Sequence, residues 1–440
     1  MSSLQPLILY SYLRTRYRRR FRTRAELLAW QAGQVERHLQ RVVPRSPFYR
    51  DYFQDRPLST WPTAPLVNKA ALMARFDDWN TAGLRREAAE AVALRAEQSR
   101  DFTPTINTLT VGLSSGTSGN RGLFLVSPAE RARWAGAILA RALPDPLYRP
   151  QRVAFFLRAN SNLYTAVQAR HIQFWYFDLL DPLEQHLERL DAFQPSILVA
   201  PPSVLRALAQ ARATSAVRFR PRRVIAVAEV LDPLDEAYIR QRFGQPVHQI
   251  YQATEGFLGC TCPHGVLHLM EDIVAIRREP LAGAPGKFSP IITDFNRVTQ
   301  PIINYRLDDI LTERAAPCGC GSVFTALESI EGRCDDVFIL AKPGGGWTRA
   351  YPDFIRRAII TSSPLIDAYR ARQHQPDQLE ISFTAPPAQT ADIEQRIHAA
   401  LEALCAQLGG GMPQLRFTPL EAPAGPRKLK RVERLFAWPE

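Results

Sequence analysis

Short apolar runs separated by helix-forming segments are the feature that most restricts the fold of this 440-residue chain. The runs occupy residues 153–157, 197–200, 224–227 and 247–251, and turn-forming residues bound each of them. One intervening segment opens with Asp232 and Pro233 and closes with Gly244, which predicts a helix with an N-cap, a first-turn proline and a C-terminal glycine. This alternation predicts an α/β fold with a largely parallel sheet.

A second, smaller unit is predicted after Asp335. It carries strands over 337–340, 379–383 and around 415–417, with helices over about 352–360 and 391–408. This order is typical of a compact α+β domain, and the chain is long for a single hydrophobic core. We therefore predict a first domain over residues 1–334, whose residues 1–100 form a helical lead-in, and a second domain over 335–440.

Composition is that of an ordinary globular protein, with 46% hydrophobic and 22% charged residues. The formal charge of +12 owes much to seven arginines between Arg14 and Arg24. This cluster is interpreted as a solvated helical face or a docking surface for an acidic partner, with RNA or an anionic membrane as alternatives. Specific nucleic-acid binding is not expected, because no recognition motif accompanies the charge. No apolar run predicts a transmembrane segment, and a cytoplasmic protein is expected.

A loop rich in glycine and hydroxyl groups follows residue 113. Gly116 and Gly119 let backbone amides approach a phosphate closely. Hydroxyl donors are supplied by Ser114, Ser115, Thr117 and Ser118. Such a loop suits the binding of a triphosphate whose negative charge grows during reaction. Arg121 follows the loop and is a candidate cation beside it.

Four further polar segments follow in order: 251–256, 305–309, 332–336 and 424–432. Together with the loop they resemble the adenylate-forming superfamily, and within it the phenylacetate-CoA ligases and the synthetases that adenylylate deazaflavin coenzymes. The resemblance extends from about residue 105 onward. It implies a large N-terminal domain with mixed, largely parallel sheets and helices, and a small mobile α+β C-terminal domain.

The resemblance also assigns roles to residues. It places Thr254 at a phosphate, Glu255 at Mg²⁺ and the ring of Tyr251 against adenine. The implied ATP-binding set is Ser114, Ser115, Gly116, Thr117, Ser118, Gly119, Glu229, Tyr251, Asp309 and Arg333. Asp309 matches a carboxylate that accepts both ribose hydroxyls, which suits its two oxygens. One departure is Gln252, which stands where relatives carry glycine.

Lys428 matches the lysine that, in relatives, crosses from the small domain to the reacting carboxylate. Together with Glu255 and Thr254 it forms the predicted catalytic set. Arg427 replaces the glycine usual before this lysine, and Lys430 is a competing assignment. Asp335 matches the hinge about which the small domain rotates in relatives.

The cysteines form a second candidate site. Thiolates and imidazoles at close spacing can enclose a tetrahedral zinc ion. Similar positions bind structural zinc in some phenylacetate-CoA ligase relatives, and the resemblance favours Cys262, His268, Cys318 and Cys320 as ligands. The alternative is a set of reduced, buried cysteines.

An aromatic stretch over 155–164 and 174–177 lies between the loop and residue 251. Its polar members Arg158, Asn160 and Asn162 are the candidates for substrate contact. Aromatic runs of this kind also occur in cores.

The function predicted from these residues is ATP-dependent activation of a carboxylic acid, with an aryl acid such as a hydroxybenzoate favoured. The acyl group then passes from the adenylate to a thiol of CoA or of an acyl carrier protein. Adenylylation of a deazaflavin hydroxyl and a silent nucleotide-binding protein remain as alternatives, although the joint presence of Lys428, Glu255 and Asp309 argues against the silent protein.

Overall fold

The computed structural model describes residues 4–101, 103–114, 121–157, 171–214, 217–420 and 430–438. The α-helices of these residues cover the N-terminal hundred residues and alternate with strands later in the chain. They are α1 (Gln5–Leu13), α2 (Arg24–Val42), α3 (Pro47–Phe53), α4 (Lys69–Ala74), α5 (Phe76–Trp79), α6 (Arg86–Ser99), α7 (Pro128–Ala142), α8 (Leu183–Phe193), α9 (Pro202–Ala213), α10 (Pro233–Phe243), α11 (Pro352–Ser362) and α12 (Thr390–Gln407).

The strands of the described residues form four sheets. The first three strands, which make a small sheet of their own, are β1 (Thr105–Ile106), β2 (Leu109–Leu113) and β3 (Leu123–Val126). Those of the large sheet are β4 (Gln151–Leu157), β5 (Ile172–Asp178), β6 (Ile197–Ala200), β7 (Arg223–Ala226), β8 (Val247–Ala253), β9 (Gly256–Thr261), β10 (Leu267–Leu269), β11 (Val274–Pro280), β12 (Lys287–Asp294), β13 (Ile302–Arg306), β14 (Asp309–Glu313) and β15 (Ala326–Arg333). The remaining strands are β16 (Phe338–Ala341), β17 (Trp347–Ala350), β18 (Ala368–Gln375), β19 (Gln378–Thr384), β20 (Gln414–Pro419) and β21 (Val432–Arg434).

The large sheet is mixed. Its order is β11-β12-β14-β15-β10-β9-β8-β7-β6-β4-β5, with β13 paired to β12. The strands β5, β4, β6, β7 and β8 are parallel, and pairing becomes antiparallel from β8 to β9. The predicted α/β fold class is confirmed, and the carboxyl ends of the parallel strands meet at one edge.

Apolar layers cover both faces of the parallel strands. Phe156 and Leu198 pack on one face with the helices α8 and α9. Phe155 and Val199 pack on the other face with α7 and α1. Strands buried on both faces read as continuous apolar runs, which explains why the sequence identified them. The helix predicted after Asp232 is confirmed, since Asp232 caps α10 and Gly244 ends it at φ +68°.

Some arginines of the N-terminal cluster anchor this segment to the rest of the chain. Arg16 donates to the carbonyls of Leu143 and Pro144 beyond the end of α7. Arg24 forms a bidentate pair with Glu271, and Arg19 donates to the Asp272 carbonyl. The interpretation of the cluster as a solvated face is therefore wrong for these three arginines.

The elements after Asp335 form a sheet of their own, in the order β20-β19-β18-β21, beside the hairpin β16-β17. The helices α11 and α12 pack in the same apolar core as β18 and β19. Strands on the two sides of Asp335 thus belong to different sheets, and the division of the chain into two domains at this residue stays a prediction.

Buried ion pairs, which we call the clasp, join these late elements to α10. Arg431 makes two bonds of 2.6 and 2.7 Å to the carboxylate of Asp235. Asp232 accepts a 2.7 Å hydrogen bond from the Tyr369 hydroxyl and lies 3.3 Å from Nε of Arg356. The clasp fixes the C-terminal elements against the large sheet.

Candidate functional site

A cleft of about 1430 Å³ opens beyond the carboxyl ends of the parallel strands. Residues at or after the ends of β4, β7 and β8 line it, among them Leu157, Glu229 and Thr254. β4 lies between β5 and β6, so the chain changes direction along the sheet at this strand. Open α/β sheets bind ligands at such positions.

Tyr251 and Asp309 face each other across the cleft wall. The tyrosine hydroxyl donates a 2.5 Å hydrogen bond to Oδ2 of Asp309. Burial raises the pKa of Asp309, and the hydrogen bond from Tyr251 opposes that shift. The structure thus brings together two residues of the predicted ATP-binding set and gives the carboxylate a fixed orientation.

Glu255 is held by a second tyrosine. The Tyr305 hydroxyl donates a 2.9 Å hydrogen bond to Oε1 of Glu255. Burial and the charge of Glu255 both raise the pKa of Tyr305, so the phenol stays a donor. The preceding residue, Thr254, accepts a 3.2 Å bond from Arg297 at its carbonyl, which fixes the end of β8.

Arg333 and Glu229 border the same cleft. Arg333 stands opposite Asp309 in the β14-β15 register and donates a 3.1 Å bond to Asp308. Glu229 accepts a 3.2 Å bond from the Ser203 amide at the start of α9. Ala228, just before it, has φ +67°, a left-handed conformation that is uncommon for a residue with a side chain. This turn directs the chain along the cleft after β7.

Only the first residue of the glycine loop lies in the described part of the chain. Ser114 accepts a 2.7 Å hydrogen bond from the Gly122 amide, which closes the base of the loop. The other predicted loop residues lie outside the described residues, and they are Ser115, Gly116, Thr117, Ser118 and Gly119. Arg121 forms a two-bond pair with Glu97, at 2.6 and 2.8 Å. Nε of Arg121 also donates a 3.2 Å bond to the Ser114 carbonyl, so the guanidinium lies at the base of the loop on the cleft wall, and its role as a cation there stays a prediction.

Lys69 is a cleft residue that the sequence did not reveal. It is the first residue of α4, after the Asn68 N-cap, and lines the cleft. A Cβ placed on Gly122 would lie 2.9 Å from Cε of Lys69, so the lysine packs against the base of the glycine loop. Burial lowers the pKa of Lys69, while the charge of Glu255 opposes the shift. Its only sequence signal was an N-cap in the helical lead-in.

Lys428, the predicted catalytic lysine, lies outside the described residues, as do the predicted substrate residues Arg158, Asn160 and Asn162. The competing Lys430 lines the cleft and donates a 2.8 Å bond to Oδ1 of Asp336. Asp335, the predicted hinge, lies in the single helical turn Cys334–Asp336 between β15 and β16.

The described aromatic residues of the predicted substrate stretch do not wall the cleft. Phe156 stacks on Phe177 at 4.7 Å between ring centroids inside the core. The aromatic wall of the cleft includes Trp134 of α7, which donates a 3.1 Å bond to Gln252. Phe155 and Phe156 thus follow the core alternative for the aromatic run, since they pack on the two faces of β4.

The four predicted zinc ligands come together away from the cleft. The ligand atoms of Cys262, His268, Cys318 and Cys320 all lie within 4.8 Å of one another. Sγ of Cys262 is 3.7 Å from Sγ of Cys318, and Sγ of Cys320 is 3.4 Å from Nε2 of His268. Nδ1 of His268 lies 3.2 Å from the Phe324 carbonyl. A proton held there leaves Nε2 facing the thiols as an acceptor.

The sequence matches no protein-family model and no curated protein. Its structure is similar to that of a 2-hydroxyisobutyryl-CoA ligase in the postadenylation state, with 17% identity and a TM-score of 0.67 over 96% of this chain and 91% of that chain. The chain has the fold of the adenylate-forming ligases. A GH3.15 acyl acid amido synthetase is similar over 93% of this chain and 92% of its own, with 11% identity and a TM-score of 0.58.

An anthranilate CoA ligase, AuaEII, shares the adenylate-forming fold over 73% of this chain and 66% of its own, with 13% identity and a TM-score of 0.52. Likeness to the 2-hydroxyisobutyryl-CoA ligase depends on that ligase's state, since the TM-score is 0.54 for its thioesterification state.

Asp294 is a second cleft residue that the sequence did not reveal. It ends β12 and is almost fully buried, and burial raises the pKa of its carboxyl to about 7. The folded protein therefore keeps a proton that the unfolded chain loses near pH 4. Where the folded state binds more protons, stability falls as pH rises.

We therefore expect Asp294→Asn to reduce the pH dependence of unfolding. Between pH 5 and 8 the wild-type free energy of unfolding should lose nearly 3 kcal/mol (about two pKa units of about 1.4 kcal/mol each) more than that of the variant. Urea unfolding at several pH values measures this difference, with Asp377→Asn at an exposed turn as control. If the free energy of unfolding has the same pH dependence in wild type and Asp294→Asn, the raised pKa of Asp294 is contradicted.

Proposed function

We propose that this protein activates a carboxylic acid with ATP, forming an acyl-adenylate and pyrophosphate, and then transfers the acyl group to a thiol of CoA or of an acyl carrier protein. The observation that carries the proposal is the convergence of Tyr251, Asp309, Glu255 and Arg333 on one cleft at the carboxyl ends of the parallel strands. The adenylate-forming fold supports it.

Each polar group has a task in that reaction. Asp309, fixed by Tyr251, would accept the ribose hydroxyls of the nucleotide. Lys69 and Arg333 would offset the negative charge of the phosphates, and their placement before substrate arrives avoids reorganisation during the reaction. The carboxylate of the substrate attacks the α-phosphorus, its bond to phosphorus forms, and pyrophosphate leaves.

Magnesium fits the donor set of the cleft. Glu255 presents a carboxylate, the ligand type that this hard cation prefers, and Tyr305 engages only one of its oxygens among the bonds described. Glu255 would hold Mg²⁺, which neutralises phosphate charge when bound. The hydroxyl of Tyr305 keeps the carboxylate pointed into the cleft.

An aryl acid is the proposed substrate class. Trp134 offers a flat apolar surface beside Ile250 and Ala137 on the cleft wall, and Gln252 places an amide at the same wall. Arg158, Asn160 and Asn162 remain proposed contacts for a polar ring substituent. An alkyl chain would leave such polar groups without hydrogen bonds.

ATP–pyrophosphate exchange across a panel of acids tests the proposal. We expect 4-hydroxybenzoate to support exchange at least about tenfold faster than octanoate, the difference made by one buried hydrogen bond. Phenylacetate has the aromatic ring without the hydroxyl, so its exchange rate shows how much of the difference comes from the ring alone. If only a deazaflavin supports exchange, or if no compound of the panel does, the proposal fails. A preference for octanoate would overturn the aryl assignment only.

Lys428 is proposed as the lysine that contacts the reacting carboxylate. Lys428→Ala should slow exchange about 100- to 1,000-fold, the usual effect of losing a charge contact in the transition state. Transfer from a supplied acyl-adenylate should survive. Lys430→Ala is the matched variant and should have the smaller effect, because Lys430 is paired with Asp336. The reverse ranking would assign the role to Lys430.

We also propose a structural zinc ion at Cys262, His268, Cys318 and Cys320. Zinc–sulfur bonds of about 2.3 Å in a tetrahedron place two sulfurs about 3.8 Å apart, and the Cys262 and Cys318 sulfurs are 3.7 Å apart. Such an ion would tie the β9-β10 hairpin to the loop before β15. This segment supports the antiparallel half of the sheet.

Elemental analysis of the purified protein should find about one zinc per chain. Cys320→Ser should lose the metal and unfold at a temperature at least about 5 °C lower, since a structural metal contributes directly to folding. Cys405→Ser, at a buried thiol of the C-terminal core, should keep the zinc. Absence of zinc together with four freely titrating thiols in the native protein would rule the site out.

A further inference from the structure

One face of the N-terminal helix remains uncovered. α1 packs against α7, where Tyr12 is buried and Ser11 donates a 2.7 Å bond to the Arg133 carbonyl. The opposite face and the turn after it expose large side chains that follow one another at helical spacing. We call this set the N-terminal strip, and its members Leu9, Tyr10, Leu13 and Tyr17 are 45% to 59% exposed.

Positive charge lies directly beside the N-terminal strip. Arg18, Arg20 and Arg22 are exposed to solvent, whereas Arg16, Arg19 and Arg24 bond to the body of the protein. The anchored arginines hold the segment in place, so the exposed ones are presented on a fixed base. The surface therefore combines apolar side chains with three neighbouring guanidinium groups.

This combination matches the chemistry of an anionic bilayer surface. Leucine side chains gain free energy by leaving water for the acyl boundary, and tyrosine rings are favoured at the headgroup level. Guanidinium groups next to them attract phosphate and serine headgroups. An acidic protein partner would satisfy the arginines, but the strip gives the surface an apolar side that extends from the second half of α1 into the turn after it.

The strip is also continuous with the cleft. Tyr10, Ser11 and Arg14 line the cleft as well as belonging to this segment. A membrane surface touching the strip would therefore lie at a mouth of the cleft.

We propose that α1 and the arginines after it form a surface that binds anionic phospholipid bilayers peripherally. In the part of the chain that the structure covers, no helix is both long and apolar enough to span a membrane. The short exposed strip and the arginines beside it are typical of interfacial, reversible binding, with the strip in the headgroup region. The proposal does not depend on the reaction catalysed.

Sedimentation of the full chain with vesicles tests the proposal. We expect binding to vesicles of 30% phosphatidylglycerol in phosphatidylcholine at low salt, and little binding to pure phosphatidylcholine or at high salt. Arg18→Gln, Arg20→Gln and Arg22→Gln combined should weaken binding about 100-fold, since each arginine near the surface contributes about fivefold. A charge-matched control combines Arg357→Gln, Arg396→Gln and Arg416→Gln, all exposed in the C-terminal part.

The apolar contribution has its own pair of variants. Leu9→Ser with Leu13→Ser should weaken binding at least about tenfold, because two leucines lose their burial. Leu180→Ser with Leu365→Ser is matched to them in exposure and should bind normally. Circular dichroism checks that each variant is folded.

Equal vesicle binding by the strip variants and their controls would overturn the proposal. So would absence of binding to anionic vesicles at low salt, or binding to an acidic protein with none to vesicles. None of these outcomes involves ATP–pyrophosphate exchange, so they leave the proposed reaction untouched.

Discussion

The clasp at the start of α10 ties three segments of the C-terminal part, at Arg356, Tyr369 and Arg431, to one helix of the large sheet. Asp232 and Asp235 are buried there, where the N-terminus of a helix favours negative charge. Their partners Arg356, Tyr369 and Arg431 come from the part of the chain after residue 335. Asp235 also accepts a 3.2 Å bond from Arg206 of α9, so the clasp is a network of charges rather than a single pair. Removing one member of a buried charge network is costly, because the remaining charges stay buried with fewer partners. The clasp therefore selects one placement of the small sheet and holds Lys430 on the cleft wall.

Two tyrosine–carboxylate pairs fix the orientation of the acidic side chains in the cleft. Tyr251 fixes Asp309 and Tyr305 fixes Glu255, and in both pairs burial keeps the phenol protonated. Carboxylates that are oriented by the fold need no rearrangement when a cation or hydroxyl arrives. The entropy cost of ordering these groups is met during folding. The order comes from contacts between residues of β8, β13 and β14, so the site forms only when these strands are assembled.

The sequence predicted those structural features that depend on neighbouring residues along the chain. Apolar runs identified the doubly covered strands, and Asp232 with Gly244 identified both ends of α10. The strand β18 was missed because most of its residues are arginine, glutamine or histidine and it has no apolar run. Lys69 and Asp294 were missed for another reason. Their importance arises from distant chain segments that meet at the cleft, and neither residue carries a motif of its own.

Gly136 limits which substitutions the contact between α1 and α7 can accept. A side chain at this position of α7 would collide with the Ile8 carbonyl, so α1 and α7 touch backbone to backbone. Two residues earlier, Trp134 walls the cleft and holds Gln252. α7 therefore supports α1, and with it the exposed surface, on one side and walls the pocket with Trp134 on the other. Substitutions that change the pocket wall at α7 also affect the seating of α1, and substitutions in α1 affect α7. Sequence changes at the pocket should therefore be accompanied by changes at the exterior surface.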